Sequence, residues 1–175
     1  EDVDAIFAGD PAATSKREIV LAYPGLQALS VYRIAHFLHN RGVPLIPRIM
    51  TEHVHSRFGI DIHPNARLGR GIMLDHGTAV VIGATAIIGD NVRMYQSITL
   101  GALSPIKHKG HPLDKRHPTI EDNVIIYSGA TILGGDTVVG EGSIIGGNIW
   151  LTHSVPPKSR VYLKDPSHHQ EVRER

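Results

Sequence analysis

The chain has 175 residues, enough for one domain or one domain with a helical extension. A formal charge of +1 gives no broad basic footprint for nucleic acid, and no apolar run approaches the about 20 residues that cross a bilayer. Cysteine is absent, so neither a disulfide framework nor a thiolate nucleophile is available.

Residues 1–58 read as a helical segment. Asp10 followed by Pro11 suits a helix start, an N-cap with proline at the first helical position. Pro24 opens a second helix, apolar at Leu26, Leu29, Ile34, Phe37 and Leu38, and Gly42 closes it. A third is expected from about Pro44 to Arg57. No secretory leader is recognisable, and the expected location is the cytoplasm.

From Ile62 the pattern changes. An aliphatic residue returns every sixth position at Ile62, Leu68 and Leu74, then at Ile82, Ile88, Met94 and Leu100. It resumes at Ile120, Ile126 and Ile132, and again at Val139, Ile145 and Leu151. Four residues after most markers comes a small or β-branched side chain, such as Ala66, Ile72, Thr78, Ala86, Val92 and Ile98. Neither a helical period nor strand alternation gives this beat. A hexad fits one flat side of a three-sided, left-handed parallel β-helix, with the marker filling the narrow interior. Gly69, Gly71, Gly83, Gly89, Gly140 and Gly142 fall at the corners, where positive φ is expected. Residues 59–163 are thus a β-helix domain, and the step from Leu74 to Ile82 bulges by two residues. Residues 103–118 have no hexad phase and read as an extruded loop, and loops on rigid scaffolds often carry function. Pro156 and Pro157 end the coil, and residues 164–175 form a polar tail.

Three hexads make a coil of about 18 residues, so Asp61 and His76 are expected near one corner on adjacent rungs, about 4.8 Å apart. A carboxylate beside an imidazole fixes its tautomer and stabilises the imidazolium, which prepares a general base. Asp75 adds a second carboxylate there. Spacing alone equally allows all three to decorate a solvated corner. In the loop, Arg116 and His117 put a bidentate guanidinium beside an imidazole, suited to a carboxylate ligand or to anchoring the loop. His53, His55 and His63 raise a zinc site, but no ligand triplet with metal spacing follows, and no metal is expected.

These residues resemble the serine O-acetyltransferases, a family of hexapeptide-repeat acyltransferases. The matching stretches are DIHP at 61–64, GRGIMLDH at 69–76, QSITLG at 96–101, RHP at 116–118 and VPP at 155–157. Upstream, DPA at 10–12 and GLQALSVYRIAH at 25–36 also match. The resemblance implies acetyl transfer from acetyl-CoA to the hydroxyl of L-serine in cysteine biosynthesis. It implies His76 as general base with Asp61 as its dyad partner. It places Asp10, Asp75, Arg116 and His117 at the substrate, so Asp10 is expected to serve as cap and ligand contact together. By analogy, Gly101, Ala102, Ser128 and Gly147 line a coenzyme A groove between subunits. Flat prism sides make poor pockets, whereas prisms packed about an axis leave concave grooves. The pocket is therefore expected to be shared, with the loop closing over His76, in a trimer or dimer of trimers. There are departures. Ala84 stands where many relatives have Glu, Ala102 replaces a Gly, and the loop is longer than the Gly-rich version. The C-terminal residues lack the Ile that relatives insert into a sulfhydrylase partner, which argues against a cysteine synthase complex. The rival enzyme reading is an acetyltransferase acting on a sugar, an antibiotic or homoserine. The rival from another class is a non-catalytic trimeric scaffold. The set Asp10, Asp61 and Arg116 favours an amino-acid acceptor.

Overall fold

The computed structural model describes residues 1–104 and 114–163. Most of the expected loop, residues 105–113, and the tail from 164 lie outside the described residues. Four helices, α1 (Asp2–Gly9), α2 (Lys16–Ala22), α3 (Pro24–His39) and α4 (Ile46–Phe58), precede fourteen short strands among the described residues. None of these helices is long and apolar enough to cross a membrane.

The helix boundaries follow local chemistry, with one correction. Asp10 ends α1 rather than opening a helix: its N–H bonds to Ile6 O at 2.9 Å. Its Oδ1 accepts from Ala12 N–H at 2.8 Å, the short-range turn that Asp favours, and Pro11 lacks the N–H to continue. The next helix starts at Lys16 instead, where Ser15 Oγ accepts from Glu18 N–H at 3.1 Å. Pro24 opens α3 as expected. Gly59, in the left-handed region at φ 67, caps α4.

The strands are β1 (Ile60–Ile62), β2 (Arg67–Leu68), β3 (Met73–Leu74), β4 (Val80–Ile82), β5 (Ile87–Ile88), β6 (Arg93–Met94) and β7 (Thr99–Gly101). After the loop come β8 (Thr119–Ile120), β9 (Ile125–Ile126), β10 (Thr131–Leu133), β11 (Val138–Val139), β12 (Ile144–Ile145), β13 (Trp150–Leu151) and β14 (Arg160–Val161). They form three parallel sheets. The first face is β1-β4-β7-β10-β13, the second β2-β5-β8-β11 and the third β3-β6-β9-β12-β14. Through β13 every third strand falls on the same face, and β14 follows β12 on the third because the second face is there reduced to the bridge between Val139 and Val155. The chain therefore winds as a parallel β-helix of about five turns, as the hexads predict. The step from Val81 to its partner Thr99 is 18 residues, a regular coil. Ile60 to Val80 is 20, and Thr99 to Thr131 is 32 because the loop intervenes.

The interior is the marker column. Ile82, Met94, Leu100, Ile120, Ile126, Ile132, Val139 and Ile145 are all 0–1% exposed. Each such side chain contributes about 1.5–3 kcal/mol relative to exposure. Thr78 departs from the pattern. It is exposed and Val80 is buried in its place, because the first coil carries two extra residues. The corner glycines also divide. Gly71 and Gly142 have positive φ, at 64 and 68. Gly69, Gly83, Gly89 and Gly140 do not, and a Cβ on them would overlap the next turn of chain. Close approach, not handedness, requires glycine there.

The helices cap the N-terminal end of the coil. Ala28, Leu29, Tyr32 and Val54 join the interior through Ile60 and Ile62. Ile6, Ile19 and Leu26 cover Met73 on the third face. Arg33 grips Asp2 through two bonds of 2.6 and 2.8 Å, and Asp2 also accepts from Ile72 N–H at 2.9 Å. These bonds fix α1, and therefore Asp10 at its end, against the coil.

Candidate active site

The site is built at two corners that flank the first face. At the corner entering that face, regular coils use a single left-handed residue: Ser97, Gly129 and Asn148, at φ 61, 75 and 57. In the first coil Ala79 takes that place at φ 60, and two additional positive-φ residues precede it, His76 at 58 and Gly77 at 75. The two-residue bulge read between Leu74 and Ile82 is this turn. It lifts the His76 side chain to 70% exposure, beside an Asp75 that is 17% exposed. His76 Nε2 lies 3.9 Å from Asp75 Oδ1, an ion-pair distance that is too long for a hydrogen bond.

Asp10 meets them from the helical side. Asp10, Tyr23, Asp75, His76 and Tyr95 line one open pocket of about 650 Å³, within the usual range for small-molecule sites. The Tyr23 hydroxyl donates to Asp10 Oδ2 at 2.6 Å. That bond, then the Ala12 N–H, hold the Asp10 carboxyl below its usual range. The same bond pushes the Tyr23 phenol up to about 12. Asp10 is thus a fixed anion, able to hold a ligand ammonium beside His76.

Arg116 and His117 stand at the corner leaving the first face. Thr85 organises them. Its Oγ1 accepts from the N–H groups of Arg116 at 2.9 Å and His117 at 3.1 Å. Its own N–H donates to His117 Nδ1 at 3.1 Å, and Oγ1 lies 2.8 Å from the same nitrogen. Nδ1 is therefore an acceptor, and the neutral ring carries its proton on Nε2. Burial, then the charge of Arg116, pushes this imidazole down to about 4. Lys115 Nζ ties the segment down further, donating to Thr85 O at 3.0 Å, Pro118 O at 3.1 Å and the His117 carbonyl. His117 is 8% exposed. Nearby, His63 Nδ1 accepts from Asn65 N–H at 3.0 Å, and its burial pushes it to about 4 as well.

Asp61 lies mid-strand on the first face, opposite Val81. Its carboxylate meets Arg48 Nη1 at 3.8 Å, and among the described residues no hydrogen bond or ion pair joins it to His76 in the same chain. The expected shared corner is not found, because the twenty-residue first coil moves His76 out of step with Asp61. Glu52, His55 and Asp61 could offer metal-ligating atoms within 4.8 Å of one another. Arg48 pairs with both carboxylates, which makes the group an ion-pair network. The expected coenzyme A residues also divide. Ser128 and Gly147 stack on adjacent rungs of the corner entering the first face, with Asn148 N–H on Ser128 O at 2.9 Å. Gly101 and Ala102 lie at the end of β7, at the opposite edge.

No family model matches the chain. Comparison with curated proteins finds a plasmid-encoded serine acetyltransferase of Synechococcus elongatus, 55% identical over 163 residues, covering 91% of this chain and 51% of that protein. The serine acetyltransferase of Bacillus licheniformis is 47% identical over 161 residues, covering 92% of this chain and 71% of that protein. The chain belongs to the serine acetyltransferase family. Solved structures of family members agree. Entamoeba histolytica serine acetyltransferase 1 in complex with L-cysteine superposes with a TM-score of 0.87 at 46% identity, over 93% of this chain and 60% of that one. The Neisseria gonorrhoeae enzyme in complex with serine gives 0.85 at 35% identity, over 94% and 64%. The chain spans about half the length of its Synechococcus relative.

Sequence reading missed three residues that the structure places at the candidate site. Tyr23 was hidden as a residue before proline at a helix junction, Thr85 as one more corner residue, and Lys115 as a loop charge. Asp61 can be tested directly. Asp61→Asn keeps the shape and removes the charge. It should lower turnover with L-serine, by less than the loss of His76 itself, in steady-state thiol release. An unchanged rate would take Asp61 out of the reaction.

Proposed function

We propose that the chain transfers the acetyl group of acetyl-CoA to the hydroxyl of L-serine, in cysteine biosynthesis, without a metal. The observation that carries this is the convergence of Asp10, Asp75 and His76 in one pocket. His76 accepts the serine hydroxyl proton as that oxygen attacks the thioester carbonyl. The tetrahedral intermediate then expels the coenzyme A thiolate, which takes up the proton held by His76. No acyl-enzyme is needed. Asp10 and Asp75 hold the substrate ammonium, and Arg116 holds the carboxylate as a bidentate guanidinium. A backbone N–H near Gly101 suits the oxyanion.

Within one chain the width of the first face separates His76 from Arg116. The pocket is therefore assembled from two copies, the edge with His76 facing a neighbour's edge with Arg116, His117 and Asp61. In that arrangement Asp61 serves the imidazole of the adjacent subunit, and Gly101 and Ala102 face Ser128 and Gly147 across the groove. Closure of such heterologous contacts gives a ring, and three prisms make a trimer. The enzyme works in the cytoplasm on small molecules, without nucleic acid or membrane.

The test presents acetyl-CoA with L-serine, L-homoserine and a galactoside, with sedimentation run alongside. L-serine should be the preferred acceptor, and the active species a trimer or larger. Transfer to another acceptor in preference to serine, or an active monomer, would overturn the reading.

A further inference from the structure

The corner leaving the first face builds one arrangement twice. On its first rung His63 is half-buried, and its Nδ1 accepts from the N–H of Asn65, two residues on, at 3.0 Å. The register that pairs Ile62 with Ile82 continues around the corner, so Gly83 stands above His63 and Thr85 above Asn65. Gly83 brings no side chain. The His117 ring fills that space, and a Cβ on Gly83 would overlap it. Its Nδ1 accepts from the Thr85 N–H at 3.1 Å, the equivalent donor one coil higher. His117 therefore stands in for the side chain that residue 83 lacks. The two imidazoles take equivalent poses on successive rungs, about 4.8 Å apart.

With Nδ1 an acceptor in both rings, each neutral imidazole carries its proton on Nε2. Burial first, then neighbouring charges that include Arg116, pushes both down to about 4. Among the described residues neither Nε2 has a hydrogen-bond partner. No buried side-chain nitrogen or oxygen lacks one there, so both Nε2–H groups open to the surface. The local turn does not need the imidazole, because Asn or Asp makes the same bond to an N–H two residues on. The turn is nevertheless pinned from two sides. His36 Nδ1 donates to Pro64 O at 2.8 Å, and the Asn65 side chain joins Ala84 O at 2.7 Å to His39 Nε2 at 3.1 Å. Two neutral donors held one rung apart can each reach one oxygen of a carboxylate set between them. Being uncharged, they do so without repelling the Arg116 guanidinium. We propose that His63 is a further acceptor-binding residue, its Nε2–H paired with that of His117 on the acceptor carboxylate beside Arg116. This rests on L-serine as the acceptor.

Steady-state kinetics on two variants tests the pair. His63→Asn keeps an acceptor for the Asn65 N–H and loses the outer donor. His63→Phe keeps a flat ring and loses the same donor. In both, the KM for L-serine should rise about tenfold or more, the usual scale of one hydrogen bond lost from a charged group, with kcat within about threefold. The Kd for CoA should not move, and the melting temperature of His63→Asn should stay at that of wild type. An unchanged serine KM in either variant would overturn the assignment. A fall in kcat at constant KM would overturn it too, because the donor would then serve the reacting oxygen. So would a matching rise in the Kd for CoA, which would mean that the ring only supports the corner. If the wild-type protein transfers no acetyl group to serine, the acceptor reading falls and this assignment falls with it. Serine turnover whose KM ignores His63 sinks the assignment alone.

Discussion

His76→Ala should lower turnover with L-serine by about 10²–10⁴-fold and leave the coil folded, the range expected when a positioned base is removed. The side chain is 70% exposed and packs into no core, so its loss opens no cavity. The backbone conformation is not an obstacle. His76 sits at φ 58, and Ala79, three residues on, already adopts φ 60 in the same turn. Thiol release under steady state reads the rate, and a melting curve reads the fold. Activity within threefold of wild type, with CoA binding intact, would remove His76 as the base.

Thr85→Val should be the costliest change away from the reacting atoms. The two side chains have similar shapes, so packing is kept, but Oγ1 is lost. Two N–H groups, of Arg116 and His117, then lack an acceptor at a position where Thr85 is 9% exposed. Each orphaned donor costs about 1–3 kcal/mol, so the melting temperature should fall by about 5–15 °C. The His117 ring also loses a neighbour that fixes its tautomer. If Arg116 holds the acceptor carboxylate, the KM for serine should rise about tenfold, consistent with losing more than 1.4 kcal/mol of positioning. The Kd for CoA should not move. Thr85→Ser, which restores the oxygen, should recover both properties. A lowered melting point with an unchanged serine KM would mean that the contact anchors the loop and that Arg116 stands outside the pocket.

Much of this was legible in the residues. The hexad markers predicted both the three faces and the interior column, because a narrow prism admits one side chain per side and tolerates few exceptions. The eight-residue step from Leu74 to Ile82 located the bulge that carries His76. The helix starts were less legible. Asp before Pro suits an N-cap and an Asx turn alike, and the choice at Asp10 depended on α1 being fastened by Arg33 and Asp2, which lie 31 residues apart in sequence. Corner geometry was misjudged for a related reason. A glycine needed for positive φ and one needed for close approach look the same in sequence, and Gly83 is of the second kind because the His117 ring covers it. The relation of Asp61 to His76 could not be read from a count of 15, since the inserted residues break the phase that the count assumes. The roles of Tyr23 and Thr85 arise from single hydrogen bonds, which leave no periodic trace.

The turn at His76 and the excursion before Arg116 share a property of the architecture. In a globular core, two added residues displace everything packed beyond them. Here each coil touches only the coils above and below, so an added length at a corner is absorbed within one turn. The coil after the His76 turn returns to 18 residues, and β8 resumes its pairing with β5 directly after the long excursion. The candidate site residues are thus carried on segments whose length is free to vary while the prism keeps its pitch. Under the proposed function, acceptor preference should respond to insertion or deletion at those two corners, with the coils on either side serving as a fixed frame.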